Sequence, residues 1–206
     1  MELKEWLSWY HHIVEALNLD EEADRRAAQR LAELIKDKSL KPEDLAEKIS
    51  GRNIMVFGAG PSLQLDLARI LRNKLENLIV PVAADGAATA LLKHGITPAI
   101  IVSDLDGRVE DLVEAEARGS TLVIHAHGDN LEALEEWVPR FRRVLGTAQT
   151  EPIKDLVYNF GGFTDGDRAA FLVEALGARR IILAGMDPVS YTHLRAHETS
   201  LHLVCR

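Results

Sequence analysis

Over the first 50 residues the apolar positions recur at helical spacing. Trp6, Tyr10, Ile13, Val14 and Leu17 mark one amphipathic segment, and Ala27, Leu31, Leu34 and Ile35 repeat the pattern in a second. Lys41-Pro-Glu-Asp44 opens a third. Proline suits a first helical turn, where its missing amide loses nothing, and acids there complement the helix dipole. From Asn53 the period shortens. β-rich runs at 54–57, 79–83, 100–102, 122–124, 157–159 and 181–183 alternate with helix-like segments such as 63–75, 131–141 and 167–176. This rhythm predicts an α/β fold, a mostly parallel sheet covered by helices on both faces. Residues 1–50 are read as an N-terminal helical cap and 51–188 as the α/β domain.

Composition narrows the partners. The 206 residues carry a net charge of -8 and no Lys/Arg-rich block, which argues against general affinity for nucleic acid. No apolar run reaches membrane-spanning length, and the start lacks the plan of a signal peptide, so a cytoplasmic protein with no membrane partner is expected. Self-association is expected if the N-terminal helices leave an apolar face open.

Four polar segments each end an apolar run: Phe57-Gly-Ala-Gly-Pro-Ser62, Asp104-Leu-Asp-Gly107, His125-Ala-His-Gly-Asp-Asn130 and Asn159-Phe-Gly-Gly-Phe-Thr-Asp-Gly-Asp-Arg168. In an open parallel sheet the strand C-termini share one edge, so these segments should converge on one crevice. The turn holding Gly58, Gly60 and Ser62 can bring backbone amides to an anion, with Ser62 capping the following helix. Leu63 stands where a dinucleotide fingerprint needs its third glycine, and no Gly-Lys-Ser/Thr of a P-loop follows. By itself the turn fits a structural connection equally well.

Ala84-Asp-Gly-Ala87 and Asp104-Leu-Asp-Gly107 put Asp85, Asp104 and Asp106 after consecutive strands. If residues 104–106 are extended, Asp104 and Asp106 share a side, and hard oxygen ligands so placed suit Mg²⁺ carrying substrate phosphates. An acidic turn or helix cap is the plainer alternative. His125, His127 and Asp129 have the donor types of a transition-metal site, but the preferred reading gives His127 and Asn130 polar contacts to nucleotide or phosphate, with Asp129 a further metal ligand. Thr164, Asp165, Asp167 and Arg168 gather at a helix start, where Arg168 is either a phosphate clamp or half of an intrahelical ion pair. Gly146-Thr-Ala-Gln149 reads as a smaller polar loop.

The C-terminus reads differently. Residues 189–199 match one translated frame of a common transposase-type sequencing adapter, and 202–206 resume that frame after an index-length gap. Residues 189–206 are therefore expected to be an artefact replacing a longer native end that includes a helix packing on the last strand. On that reading His193, His197, His202 and the sole cysteine, Cys205, carry no metal or redox argument.

Together, Gly58-Ala-Gly-Pro-Ser-Leu63, Ala84-Asp-Gly-Ala87, Ser103-Asp-Leu-Asp-Gly107, residues 125–130, residues 159–168 and Leu183-Ala-Gly-Met-Asp187 resemble, in order, the archaeal 6-hydroxymethyl-7,8-dihydropterin pyrophosphokinase (MptE-like) family. The Asp85-Gly, Pro98 and Asp104-x-Asp106 series is also similar to thiamine pyrophosphokinases. The resemblance makes 51–188 a catalytic domain. It implies diphosphate transfer from ATP as co-substrate to the hydroxymethyl group of the pterin, release of AMP, a requirement for Mg²⁺, and a place in tetrahydromethanopterin or folate biosynthesis. It further implies Asp85, Asp104 and Asp106 as metal ligands and Asp104, Asp106 and Arg168 as the catalytic set. Gly58, Gly60, Ser62, His127, Asn130, Thr164 and Asp165 are the expected nucleotide contacts. A glycosyltransferase-like domain related to flagellin-modifying proteins and a non-catalytic nucleotide-binding module stand as alternatives.

Overall fold

The computed structural model describes residues 1–187, so the adapter-like segment, its histidines and Cys205 lie outside the described residues. Three helices lead: α1 (Leu3–Leu17), α2 (Glu21–Ile35) and α3 (Pro42–Ile49). There follow β1 (Asn53–Phe57), α4 (Leu63–Arg72), β2 (Val80–Ala84), α5 (Gly86–Lys93), β3 (Ile100–Ser103), α6 (Val109–Ala117), β4 (Thr121–Ala126), α7 (Leu131–Trp137), β5 (Val144–Ala148), β6 (Val157–Tyr158), α8 (Asp165–Ala175) and β7 (Arg180–Ala184). The seven strands form one sheet in the order β6-β5-β4-β3-β2-β1-β7, with every pairing parallel. All C-terminal strand ends therefore open on the same edge, as the sequence reading requires.

Alternation along the strands divides the core. Met55, Phe57, Ala83, Ile101, Leu122 and Ile124 face α2 and α4 to α7, whereas Ile54, Val56, Val82, Val102, Val123 and Leu145 face α3 and α8. Both faces of β1 to β5 are thus apolar and covered, which is why these strands read as near-continuous hydrophobic runs. Among the described residues no helix is long and apolar enough to cross a membrane.

Two differences from the sequence reading have clear physical causes. The Gly-Thr segment expected as a loop is β5, buried along its length. Gly146 belongs inside that strand because a Cβ there would lie 2.6 Å from Ile35 Cδ1 and 3.0 Å from the Leu156 carbonyl, so α2 can approach the sheet only over a glycine. The second difference is at α4. Ser62 does not cap the helix with its side chain, since its backbone is already helical (φ -74, ψ -13).

The first two helices are joined to the sheet by a buried carboxylate. Asp24 of α2, 5% exposed, accepts from Tyr10 Oη at 2.5 Å, Gln149 Nε2 at 2.7 Å and the Gly128 amide at 2.7 Å. Trp6 Nε1 donates to the Gln149 carbonyl at 2.9 Å, so α1 is tied to the same point. Burial, and then the Asp24 bond, push the Tyr10 phenol up. Removing the acceptor strands three donors, and Asp24→Ala is expected to cost at least about 3 kcal/mol in urea unfolding at unchanged slope. A loss under about 1 kcal/mol would mean that these donors find other partners.

Candidate functional site

The crevice at the strand ends is built around three carboxylates. Asp85 follows β2 with φ 24, a conformation that costs a non-glycine residue strain and is held here by its neighbours. The Ser103 hydroxyl donates to its Oδ1 and in turn accepts from the Leu105 amide at 2.9 Å. A Cβ on Gly107 would collide with the Asp85 carboxylate, so the Asp-x-Asp-Gly glycine serves close approach.

Asp104 and Asp106 meet by a different route from the extended one expected. Leu105 adopts φ 71 and buries its side chain, so a turn folds the two acids toward each other. The Asp106 amide donates to Asp104 Oδ1 at 3.3 Å. One carboxylate oxygen from each of Asp85, Asp104 and Asp106 lies within 4.8 Å of the others.

Their charges are tuned apart. Burial opposes ionisation of Asp104, but the His127 hydrogen bond and charge and the Arg168 charge outweigh it and hold the carboxyl below its usual range. His127 Nε2 lies 3.3 Å from Asp104 Oδ2, while its Nδ1 accepts from the Asp129 amide at 3.3 Å. With Nδ1 accepting, the ring proton aimed at Asp104 is the one on Nε2. Burial pushes Asp85 up, opposed by the Ser103 bond and aided by the Asp104 charge. Desolvation of its carboxyl, and then the charges of Asp104 and Asp85, push Asp106 up to about 7. Three crowded acids that resist joint ionisation form a donor set that fits a hard divalent cation.

The remaining expected site residues fall into three groups. Asn130 is engaged within the chain: its Nδ2 donates to the Asp104 and His125 carbonyls, both at 2.7 Å, and its Oδ1 accepts from the His127 amide at 3.0 Å. It staples the β3 and β4 ends together. Asp129 is exposed and stands outside the carboxylate cluster. At the start of α8 exposed Thr164 donates through both its amide and its hydroxyl to Asp167 Oδ1, at 2.6 and 2.8 Å.

Arg168 is buried, 8% exposed. Its Nη1 donates to Asp165 Oδ1 and its Nη2 to Gln149 Oε1, each at 3.1 Å. Burial, and then the Asp104 charge, push Asp165 well above the usual carboxylate range. The guanidinium thus acts on the crevice from beneath.

The glycine turn is occupied by the end of β7. Gly58 and Gly60 amides donate to the Ala184 and Gly185 carbonyls at 2.9 and 2.7 Å, and the Ser62 amide donates to Asp187 Oδ2 at 2.7 Å. A Cβ on Gly60 would lie 2.6 Å from the Gly185 carbonyl, so this glycine permits loop-against-loop packing.

Asp24, Gln149 and Ser103 were not among the residues the sequence nominated. One signal was present for Asp24: it falls on the apolar face of α2, at the spacing of Ala27, Leu31 and Ile35, where an acid needs a buried reason. Gln149 offered none, because its partners lie far off in the chain.

The family model described as 6-hydroxymethylpterin diphosphokinase MptE-like matches residues 25–192. Proteins named 6-hydroxymethyl-7,8-dihydropterin pyrophosphokinase are similar along most of the chain. That of Pyrococcus furiosus is 48% identical, covering 91% of this chain and 78% of its own. That of Methanothermobacter thermautotrophicus is 45% identical, covering 91% and 79%. That of Methanocaldococcus jannaschii is 42% identical, covering 91% and 80%. The MAf glycosyltransferase structure from Magnetospirillum magneticum AMB-1 matches at a TM-score of 0.48 and 18% identity, over 78% of this chain and 28% of that one, a likeness too distant to bear on fold or function. With a family model spanning most of its length and three relatives at 42–48% identity, the chain belongs to the 6-hydroxymethylpterin diphosphokinase MptE-like family.

Proposed function

We propose that the protein transfers the terminal diphosphate of ATP to the hydroxymethyl oxygen of 6-hydroxymethyl-7,8-dihydropterin, with release of AMP. The observation that carries this reading is the meeting of Asp85, Asp104 and Asp106 at adjacent strand ends, in a chain of this family. The hydroxymethyl oxygen bonds to the β-phosphorus, the bond from that phosphorus to the α,β-bridging oxygen breaks, and the hydroxyl proton passes to solvent. Bound Mg²⁺ would supply charge neutralisation on the polyphosphate. Asp85, Asp104 and Asp106 are the residues that would hold it. His127 and Arg168 keep Asp104 ionised for that role, and Ser103 fixes the orientation of Asp85. Phosphoryl-type transfer needs positioning and charge stabilisation more than covalent help from the protein, in keeping with a site rich in carboxylates and short of a dedicated base. Tetrahydromethanopterin or folate synthesis is the pathway this reaction would serve.

The direct test is AMP formation from ATP and Mg²⁺ with the pterin, with thiamine and with no acceptor. Pterin-dependent AMP is expected; AMP formed only with thiamine, or none with either, would sink the proposal. Asp104→Asn is expected to lower Mg²⁺-dependent turnover by about 100-fold or more while the protein stays folded. Turnover near the wild-type rate would remove Asp104 from the metal site.

Without metal, Asp106 keeps its proton up to about pH 7, whereas in an unfolded chain it ionises near pH ~4. The folded state therefore holds the extra proton between these values, and the stability linked to it declines as pH rises through that window. Below pH about 7, Mg²⁺ must displace the proton. The rise in Tm caused by a fixed Mg²⁺ concentration should be larger at pH 8 than at pH 6, and Asp106→Asn should abolish the difference. Equal shifts at the two pH values in the wild type would count against this cluster as the Mg²⁺ site.

A further inference from the structure

Beneath the carboxylates, between the ends of β3, β4 and β5 and the first turns of α8, lies a cavity of about 10 Å³, at the lower limit for holding one water. Val102, Val123, Ala148 and Leu172 make most of its wall apolar, and Phe160 and Gly161 close one side. Three lining side chains are polar, His125, Thr147 and Arg168, and they are 1%, 7% and 8% exposed. The Thr147 hydroxyl is paired, whereas two buried atoms have no hydrogen-bond partner, His125 Nε2 and Arg168 Nε. Buried polar atoms are rarely left so, and two beside one cavity point to a ligand that pairs with both.

The chemistry of the pair can be read from its surroundings. Thr147 Oγ1 donates to the Ile124 carbonyl at 3.3 Å, so toward His125 Nδ1, 3.2 Å away, it accepts. His125 therefore carries its proton on Nδ1 and presents a lone pair at Nε2. Burial, and then the Arg168 charge, keep the ring neutral, which preserves that lone pair. Arg168 has both terminal nitrogens held by Asp165 and Gln149, and its Nε–H is a donor fixed in direction. One acceptor and one donor in a mostly apolar slot match the paired N–H and C=O of a cyclic amide. The slot adjoins the carboxylates, because the His125 ring lies 6.3 Å from the ring of His127, inclined to it by 29°, and His127 contacts Asp104.

We propose that His125 and Arg168 recognise the lactam edge of the pterin, the ring N–H donating to His125 Nε2 and the carbonyl oxygen accepting from Arg168 Nε. This rests on the pterin reading above and adds to it the residues that select the ring. The edge atoms enter where one water fits. The ring body needs residues 160–162 to draw back, a coil that carries glycines at φ 89 and 93.

The test compares binding of 6-hydroxymethylpterin with 6-hydroxymethyl-2,4-diaminopteridine, followed by pteridine fluorescence at pH 7, where the lactam keeps its N–H. In the second compound position 4 donates and N3 accepts, reversing the pattern. Wild type should bind the lactam about 10- to 100-fold more tightly, since the reversed edge leaves buried groups unpaired. His125→Leu, with its folding checked by thermal transition, should lose most of that preference. Equal affinity of the wild type for the two compounds would overturn the proposal, as would wild-type discrimination persisting in folded His125→Leu. If His125→Leu does not fold, the wild-type comparison decides alone. A wild type that binds neither pteridine, yet makes AMP with another acceptor, would bring down the pterin reading itself, a result distinct from loss of selectivity.

Discussion

The arrangement of this molecule depends on one buried carboxylate. Asp24 lies on a helix that packs against the sheet, yet it accepts from α1, from the β4 loop and from the end of β5 at once. A polar group in such a place is tolerated only when its hydrogen-bonding capacity is filled, so its surroundings are specified together. Gln149 passes the constraint on. One end of its amide binds Asp24 and the other binds Arg168, and its carbonyl holds Trp6. The helical N-terminus and the floor of the crevice are in this way parts of one hydrogen-bonded unit.

On top of that floor the site works by unequal environments. Asp104 has a histidine and an arginine to favour its charge; Asp85 and Asp106 have burial and the Asp104 charge against theirs, with the Ser103 bond in favour of Asp85. The strain at Asp85 and the left-handed turn at Leu105 fit the same picture, because packed neighbours hold the backbone in conformations it would not choose alone. Electrostatic preorganisation of this kind is set when the chain folds and needs little rearrangement when a charged ligand arrives.

The sheet was legible because parallel strands covered on both faces must be apolar on both, and runs such as Ile54-Met-Val-Phe57 carry that signature directly. The acidic strand ends were legible as well, since topology alone brings Asp85 beside Asp104 and Asp106. β5 was not. Its glycine and threonine mimic loop composition, and only the presence of Ile35 above Gly146 explains them. The pairing of Asp24 with Gln149, and of Gln149 with Arg168, was hidden for a related reason: Asp24 and Gln149 are 125 positions apart, and no local pattern records a partner at that distance, whereas the Arg168–Asp165 pair within one helix turn was one of the two readings of that segment. The turn between Asp104 and Asp106 escaped as well, because spacing gives proximity along the chain but not the sign of φ at Leu105.

The contact between Asp187 and the Ser62 amide changes what the glycine turn can offer. A helix start facing water would gain the full difference between a hydrated and a bound anion. Here the amide already faces a negative oxygen, so an incoming phosphate exchanges one anion for another and gains only the difference between them. The occupancy of the turn and the position of the β7 end are thereby linked. Whatever holds that end in place weakens the turn for anions, and an anion bound there would release the Asp187 carboxylate while the Gly58 and Gly60 bonds still hold the β7 end.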